Sequence, residues 1–186
     1  MKRVWPVALL VALLAAPAFA QMGGAQSGNP VSAVLKSAYQ GVQRNLIDTA
    51  EQVPESVYAF RPTPEVRSLG ELIGHVAGSQ YMYCGAAKGE KNPAAESQFE
   101  KVTSKAALVK ALKDSSAYCD TVYAELTDAG LGRMVTMGTR QMPAIGLLVQ
   151  NIAHDNEHYG NLVTYMRLKG IVPPSTARQQ RRPGGR

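Results

Sequence analysis

Residues 144–170 read AIGLLVQNIAHDNEHYGNLVTYMRLKG, and no other part of the chain carries so long a helical pattern. Apolar side chains recur in this stretch every three or four positions, which is typical of an amphipathic α-helix. The members of this apolar face are Leu148, Ile152, Tyr159, Val163 and Met166. Pro143 suits the start of a helix and Gly170 suits its end, so the pattern predicts a helix over about residues 143–169.

Three segments upstream show the same periodicity. The first covers about residues 30–53. The second begins after Ser68, which would form a capping box with Glu71, and it fades near residues 85–89. The third covers about residues 104–126. The chain therefore contains four predicted amphipathic helices.

The rest of the chain offers almost no strand pattern. A short β-like run covers residues 134–137, and a polar stretch at residues 90–100 connects the second and third predicted helices. Neither an internal repeat nor a second domain is visible, and the length suits one domain. We therefore predict an all-α fold, a four-helix bundle, over residues 30–174.

Residues 1–20 have the features of a cleavable signal peptide. Lys2 and Arg3 are followed by the apolar run 7–16, and the small residues Ala18 and Ala20 precede the expected cleavage site after residue 20. The run is too short for a transmembrane helix, which needs roughly 20 apolar residues. We therefore expect an exported protein, periplasmic or secreted, with no stable membrane insertion after cleavage. An uncleaved anchor or a buried helix is the alternative interpretation.

Both ends of the remaining chain are polar. Residues 21–29 are rich in Gly, Ser and Gln and predict a flexible lead-in. Residues 175–186 predict a disordered basic tail, because Pro173 and Pro174 would prevent any restart of helix. The formal net charge is +6, and arginines of this tail supply much of the excess. A basic tail of this composition is more often a solvated end than a nucleic-acid-binding arm, and an exported protein does not meet nucleic acid in the cytoplasm. We therefore expect no nucleic-acid binding.

The chain has three histidines, and their positions predict one metal site. His154 and His158 are four residues apart, so they project from the same face of the last predicted helix. His75, in the second predicted helix, is the remaining histidine that can complete the site. Imidazole nitrogen suits zinc, nickel, copper or ferrous iron. The alternative is three histidines that lie at the surface or only hydrogen-bond in the core.

Two neighbours of the histidine pair are candidates for supporting the site. Asp155 falls near the edge of the apolar face and could orient an imidazole through its second nitrogen, or form an ordinary salt bridge or cap contact. Tyr165 continues the face that carries His154 and His158 and is a candidate hydrogen-bond donor. We identify no catalytic residue from the sequence.

The two cysteines are candidates for a disulfide. Cys84 is about half a turn out of phase with His75, so it should not be a metal ligand. In an oxidising compartment, an even pair such as Cys84 and Cys119 is typical of one bridge. This bridge would tie the second predicted helix to the third. Two buried thiols are the alternative.

At its histidine segments the chain resembles the DinB-like (YfiT-like) family of metal-binding proteins. The matching stretches are RSLGELIGHVA at residues 67–77 and HDNEHYGNLVTYMRLKGIVPP at residues 154–174, and the likeness covers residues 30–174. The resemblance implies a four-helix bundle, often a homodimer. It also implies a site for zinc, nickel or a similar divalent ion at His75, His154 and His158. Family members with known chemistry are thiol-dependent transferases or isomerases.

Three functional hypotheses follow. The first is a metal-dependent hydrolase or transferase, because three histidines leave coordination positions open for water or a small-molecule substrate. The second is a metal- or ligand-binding helical bundle without turnover. The third is a purely structural bundle whose histidines only hydrogen-bond. A bound metal ion separates the third hypothesis from the other two, and an accessible centre with activity separates the first from the second.

Overall fold

The computed structural model describes Met1 and residues 28–181; the predicted signal peptide and most of the predicted lead-in lie outside the described residues. The helices are α1 (Pro30–Gln52), α2 (Leu69–Lys88), α3 (Ser97–Glu100), α4 (Lys105–Ala124), α5 (Ala144–Leu168) and α6 (Pro174–Gln180). The strands are β1 (Met134–Met137) and β2 (Arg140–Pro143). Within residues 28–181, every helix is too short or too polar to cross a membrane.

The four long helices form a bundle. Helices α1 and α2 each pack against both α4 and α5. The predicted helical architecture is therefore confirmed for this part of the chain, with helix boundaries close to the predicted ones. The predicted capping box of α2 is also confirmed: the Ser68 hydroxyl accepts a hydrogen bond from the Glu71 amide at 3.3 Å, and the Ser68 amide donates to the Glu71 carboxylate at 2.7 Å.

Two apolar clusters fill the two ends of the bundle. The first includes Leu46, Ile73, Leu112 and Leu162. The second includes Tyr39, Tyr123, Leu147 and Leu148. Every long helix contributes side chains to both clusters, so the apolar contacts within each cluster hold all four helices together.

A buried polar layer lies between the two clusters, with members from all four long helices. Gln43 of α1 and Gln80 of α2 both donate to the carboxylate of Asp155 on α5, at 2.7 and 3.3 Å. Ser115 and Ser116 of α4 in turn donate to the side-chain oxygens of Gln80 and Gln43, at 2.8 and 2.7 Å. Buried polar groups need such partners, so the layer aligns the four helices with one another.

A disulfide between Cys84 and Cys119 joins α2 to α4, with 5.5 Å between the two Cα atoms. Both cysteines are fully buried beside the second apolar cluster. The bridge joins the two helices that the sequence predicted it would join. Within residues 28–181, the structure leaves no free cysteine.

Two parts of the chain differ from the sequence prediction. The β-like run is one half of an antiparallel hairpin, in which β1 pairs with β2 through a turn at Gly138. The prediction of a disordered tail is wrong for residues 175–180, because α6 begins at Pro174, and the end of the predicted tail, residues 182–186, lies outside the described residues. Proline is favourable in the first turn of a helix, where its missing N–H is not needed. Arg178 of α6 pairs with Asp48 of α1 and fixes the short helix.

Candidate metal centre

Two facing helices bring the three histidines together. His154 and His158 lie one turn apart on α5, and His75 lies on α2. The Nε2 atom of His154 is 3.1 Å from Nε2 of His75 and 3.1 Å from Nε2 of His158. One ring nitrogen from each histidine lies within 4.8 Å of the others. The three residues predicted as metal ligands therefore form a single cluster.

The spacing of these nitrogen atoms fits a shared metal ion. A tetrahedral zinc ion at about 2.05 Å from each imidazole nitrogen separates two such nitrogens by roughly 3.3 Å. The observed separations of 3.1 Å are close to this value. Hydrogen bonding is a poorer explanation, since one nitrogen carries either a hydrogen or a lone pair. Only one of the two contacts of the His154 Nε2 atom can therefore be an ordinary hydrogen bond.

The outward nitrogen atoms of the triad face polar side chains. Nδ1 of His75 pairs with the carboxylates of Glu96 and Glu100, the latter at 3.2 Å. Nδ1 of His158 lies 3.4 Å from the side-chain nitrogen of Asn161. A carboxylate at Nδ1 is a usual partner of a histidine that binds a metal through Nε2, and Glu96 and Glu100 give His75 such a partner.

Burial keeps two of the imidazoles neutral. Burial is the main cause that lowers the pKa of His158 from 6.5 to about 3, and the repulsion that protonated imidazoles of the triad would exert on one another, together with Arg67, adds to it. Burial is also the main cause of the lowered pKa of His75, against the opposing charge of Glu96. Neutral imidazole is the form that binds a metal ion, so His158 and His75 need not lose a proton near neutral pH.

Comparison with known proteins identifies the family. Residues 38–162, more than half of the 186-residue chain, match the model of the DinB superfamily. This chain belongs to the DinB superfamily. A curated DinB-type relative, the uncharacterized protein YjoA of Bacillus subtilis, is 25% identical over 127 residues, which cover 66% of this chain and 80% of YjoA.

Solved structures share the fold of this DinB protein. A DinB-like protein from Bacillus cereus superposes with a TM-score of 0.62 at 18% identity, over 75% of this chain and 93% of that one. The YjoA structure gives a TM-score of 0.60 at 22% identity, over 74% and 92% of the two chains. A mycothiol-dependent maleylpyruvate isomerase gives 0.58 at 18% identity, over 70% and 60%. At these identities the likeness concerns the fold alone.

Asp155 lies beneath the triad of this DinB protein, in the buried polar layer. Its Oδ1 atom is 3.9 Å from Nδ1 of His154, and its Oδ2 atom accepts from Gln43 and Gln80. Burial raises the pKa of Asp155 to about 6. The side chain therefore lies near a ring nitrogen of a candidate ligand, an arrangement that is compatible with an orienting group and with an ordinary salt bridge.

The other supporting residue expected from the sequence has a different partner. The hydroxyl of Tyr165 donates to the backbone carbonyl of Arg67 at 2.9 Å, and its ring packs edge-on against Phe60. Among the described residues, no hydrogen bond joins Tyr165 to a histidine of the triad. The hydroxyl has one hydrogen, and its bond to Arg67 uses that hydrogen. Tyr165 therefore stabilises the segment before α2 and not the triad.

Sequence reasoning missed Glu96 and Glu100. Both lie in the polar stretch that was predicted as a connection, and α3 brings them to His75. Two acidic residues four positions apart are typical of one face of a helical turn, which was the signal available in the sequence. The contact with a histidine more than twenty residues earlier depends on tertiary packing, which no local pattern reveals.

Proposed function

We propose that this DinB protein binds one divalent transition metal ion through His75, His154 and His158 and uses it for hydrolysis or group transfer on a small molecule. The observation that carries the proposal is the convergence of three Nε2 atoms, with 3.1 Å between neighbours. Nitrogen ligands favour zinc, nickel or ferrous iron over magnesium or calcium.

Three neutral ligands suit catalysis because they leave the charge of the ion uncompensated and a coordination position open. A divalent ion at such a position lowers the pKa of bound water to about 7 or polarises a substrate oxygen. The side chain of His154 is 17% exposed, so part of the triad is in contact with solvent. This exposure supports access for a small molecule.

One observation favours a second candidate function, a metal-binding bundle without turnover. The carboxylates that lie nearest the triad, Glu96, Glu100 and Asp155, face outward ring nitrogens. Within the described part of the chain, none of these groups faces the inner nitrogens, where a general base for a bound substrate would be needed. Turnover would then depend on the ion itself.

We also propose that the protein is exported and forms a homodimer. The buried Cys84–Cys119 disulfide supports export, because disulfides persist in oxidising compartments. The resemblance to dimeric family members supports the dimer. N-terminal sequencing of the exported chain tests cleavage after residue 20, and light scattering of the mature chain tests the dimer. An intact N-terminus or a monomeric mass would contradict the respective proposal.

Elemental analysis tests the metal site. The mature chain, purified without a histidine tag, is compared with a His75→Ala/His158→Ala variant whose helix content is checked by circular dichroism. We expect about one transition metal ion per wild-type chain and none in the folded variant. A wild-type chain that stays metal-free after reconstitution with zinc, nickel and ferrous iron would refute the proposal.

The metal-loaded protein is then screened for hydrolysis and for group transfer, with the metal-free variant as the matched control. Activity that follows metal content supports the enzyme. A full metal site without activity across both reaction classes favours the non-catalytic bundle.

A further inference from the structure

Two glycines of α2 let the α3 segment, residues 96–100, lie directly on the helix that carries His75. A Cβ atom at Gly74 would lie 2.5 Å from the backbone oxygen of Phe99, and one at Gly78 would lie 2.5 Å from Cα of Glu96. Both distances are too short for any side chain. Glycine inside a helix is less stable than alanine, so the contact with the α3 segment compensates for an unfavourable residue at both positions.

This packing places two carboxylates against one ring nitrogen. Gly74 and Gly78 lie on either side of His75 in the sequence, and the α3 segment above them carries Glu96 and Glu100. Both carboxylates pair with Nδ1 of His75. A donor that faces a carboxylate keeps its hydrogen, so His75 is held with Nδ1 protonated and with the lone pair on Nε2.

The two carboxylates have different roles because their other partners differ. Glu100 is shared with Arg67, whose guanidinium lies 3.0 Å from the same carboxylate oxygen. Among the described residues, His75 is the ion-pair partner found for the side chain of Glu96. Glu96 is therefore the group committed to the histidine, and Glu100 reinforces it.

We propose that Glu96 is a positioning residue for the metal centre, held in place by the glycine surface of α2 and reinforced by Glu100. Its carboxylate accepts the Nδ1 hydrogen of His75 and so directs Nε2 toward His154 and His158. This inference rests on the proposed metal site. It differs from a second metal site at Nδ1, Glu96 and Glu100, because a ring nitrogen that carries a hydrogen has no lone pair for an ion.

Zinc affinity of the full mature chain, measured by competition with a chromophoric chelator, tests the inference. Glu96→Ala is expected to weaken zinc binding about 10- to 100-fold, the usual effect of removing a partner of a ligating histidine. Glu96→Gln retains an acceptor oxygen and is expected to lose less. Glu90→Ala is the matched control. Glu90 lies in the same polar stretch as Glu96, but its carboxylate contacts Lys88 and Tyr118 instead of a histidine.

A second readout reports the position of the hydrogen. Long-range proton–nitrogen NMR of the zinc-loaded wild type is expected to show His75 protonated at Nδ1, and this N–H signal should exchange faster with water in Glu96→Ala. A purely structural role for Glu96 would lower stability without this change.

Each contrary outcome has one meaning. Wild-type zinc affinity in Glu96→Ala and in the Glu96→Ala/Glu100→Ala double variant would overturn the inference and leave the metal site intact. Two zinc ions per wild-type chain, with one lost in Glu96→Ala, would overturn it in favour of a ligand role. A wild-type chain that binds no metal ion would refute the metal site itself.

Discussion

Oδ1 of Asp155 lies 3.9 Å from Nδ1 of His154, and neither atom has a hydrogen-bond partner within the described residues. Both atoms are buried, and a buried polar atom without a partner is costly. A shift of the ring by less than an ångström, on the order of thermal motion, would join the two atoms. The pair therefore favours a His154 ring that donates from Nδ1 and presents a lone pair at Nε2.

Asp155→Asn should weaken metal binding at His154. Gln43 and Gln80 donate to one oxygen of Asp155, so an asparagine would turn its own oxygen toward them and its NH2 group toward His154. That donor would stabilise the ring with its hydrogen on Nε2, the wrong form for a ligand. We expect a loss of about 10- to 100-fold in zinc affinity, measured by chelator competition. Glu157→Gln, at an exposed position two residues on, should bind as wild type.

Gln80→Leu should destabilise the bundle through its polar layer. The side chain donates to Asp155 and accepts from Ser115, and both partners would lose a buried hydrogen bond. We expect the free energy of unfolding in urea to fall by about 1–3 kcal/mol. Gln150→Leu is the control, because Gln150 is exposed on α5 and the change should stay within about 0.5 kcal/mol. Equal stability of the two variants would contradict the role of the layer.

Gly78→Ala should disturb the α3 segment and the metal centre together. The added Cβ would lie 2.5 Å from Cα of Glu96, so the segment must move away from α2. Overpacking of this kind costs about 1–3 kcal/mol. Zinc affinity should fall with stability, whereas Gly41→Ala, where a Cβ meets nothing within 4 Å, should raise stability by up to about 1 kcal/mol. A Gly78→Ala protein that is less stable but binds zinc with wild-type affinity would contradict the expected link between the packing of the α3 segment and the metal centre.

Removal of the disulfide should lower stability substantially. Cys84 and Cys119 are 35 residues apart in sequence, and closing a loop of this size stabilises the folded state by about 4 kcal/mol in the chain-entropy model. We expect Cys84→Ala/Cys119→Ala to lose about 2–4 kcal/mol in urea unfolding. Alkylation of the denatured, unreduced wild type should detect no free thiol. Two alkylated cysteines would show that the bridge is not formed.

The sequence was sufficient to predict the helices because their signals are local. Apolar periodicity, the capping box at Ser68 and the glycine after α5 each involve residues within one or two helical turns. The histidine triad could also be predicted, because His154 and His158 share a helix face and His75 is the remaining histidine of the chain.

The missing parts of the site depend on contacts between distant segments. Glu96 reaches His75 because α3 lies on glycines of α2, and Asp155 is fixed by glutamines from two other helices. The helix at residues 174–180 was missed for a different reason. The paired prolines predict the end of helical structure, but the second of them begins a helix that Arg178 anchors to α1.

The Cys84–Cys119 bridge has a topological consequence. It closes a covalent ring of the chain, and this ring contains the whole α3 segment with Glu96 and Glu100. A peptide bond cut between Gly89 and Glu96 would therefore leave a single molecule, in which the carboxylates stay tethered through α4. The same cut after reduction would yield two separable fragments, one with His75 and the other with the acidic pair, His154 and His158.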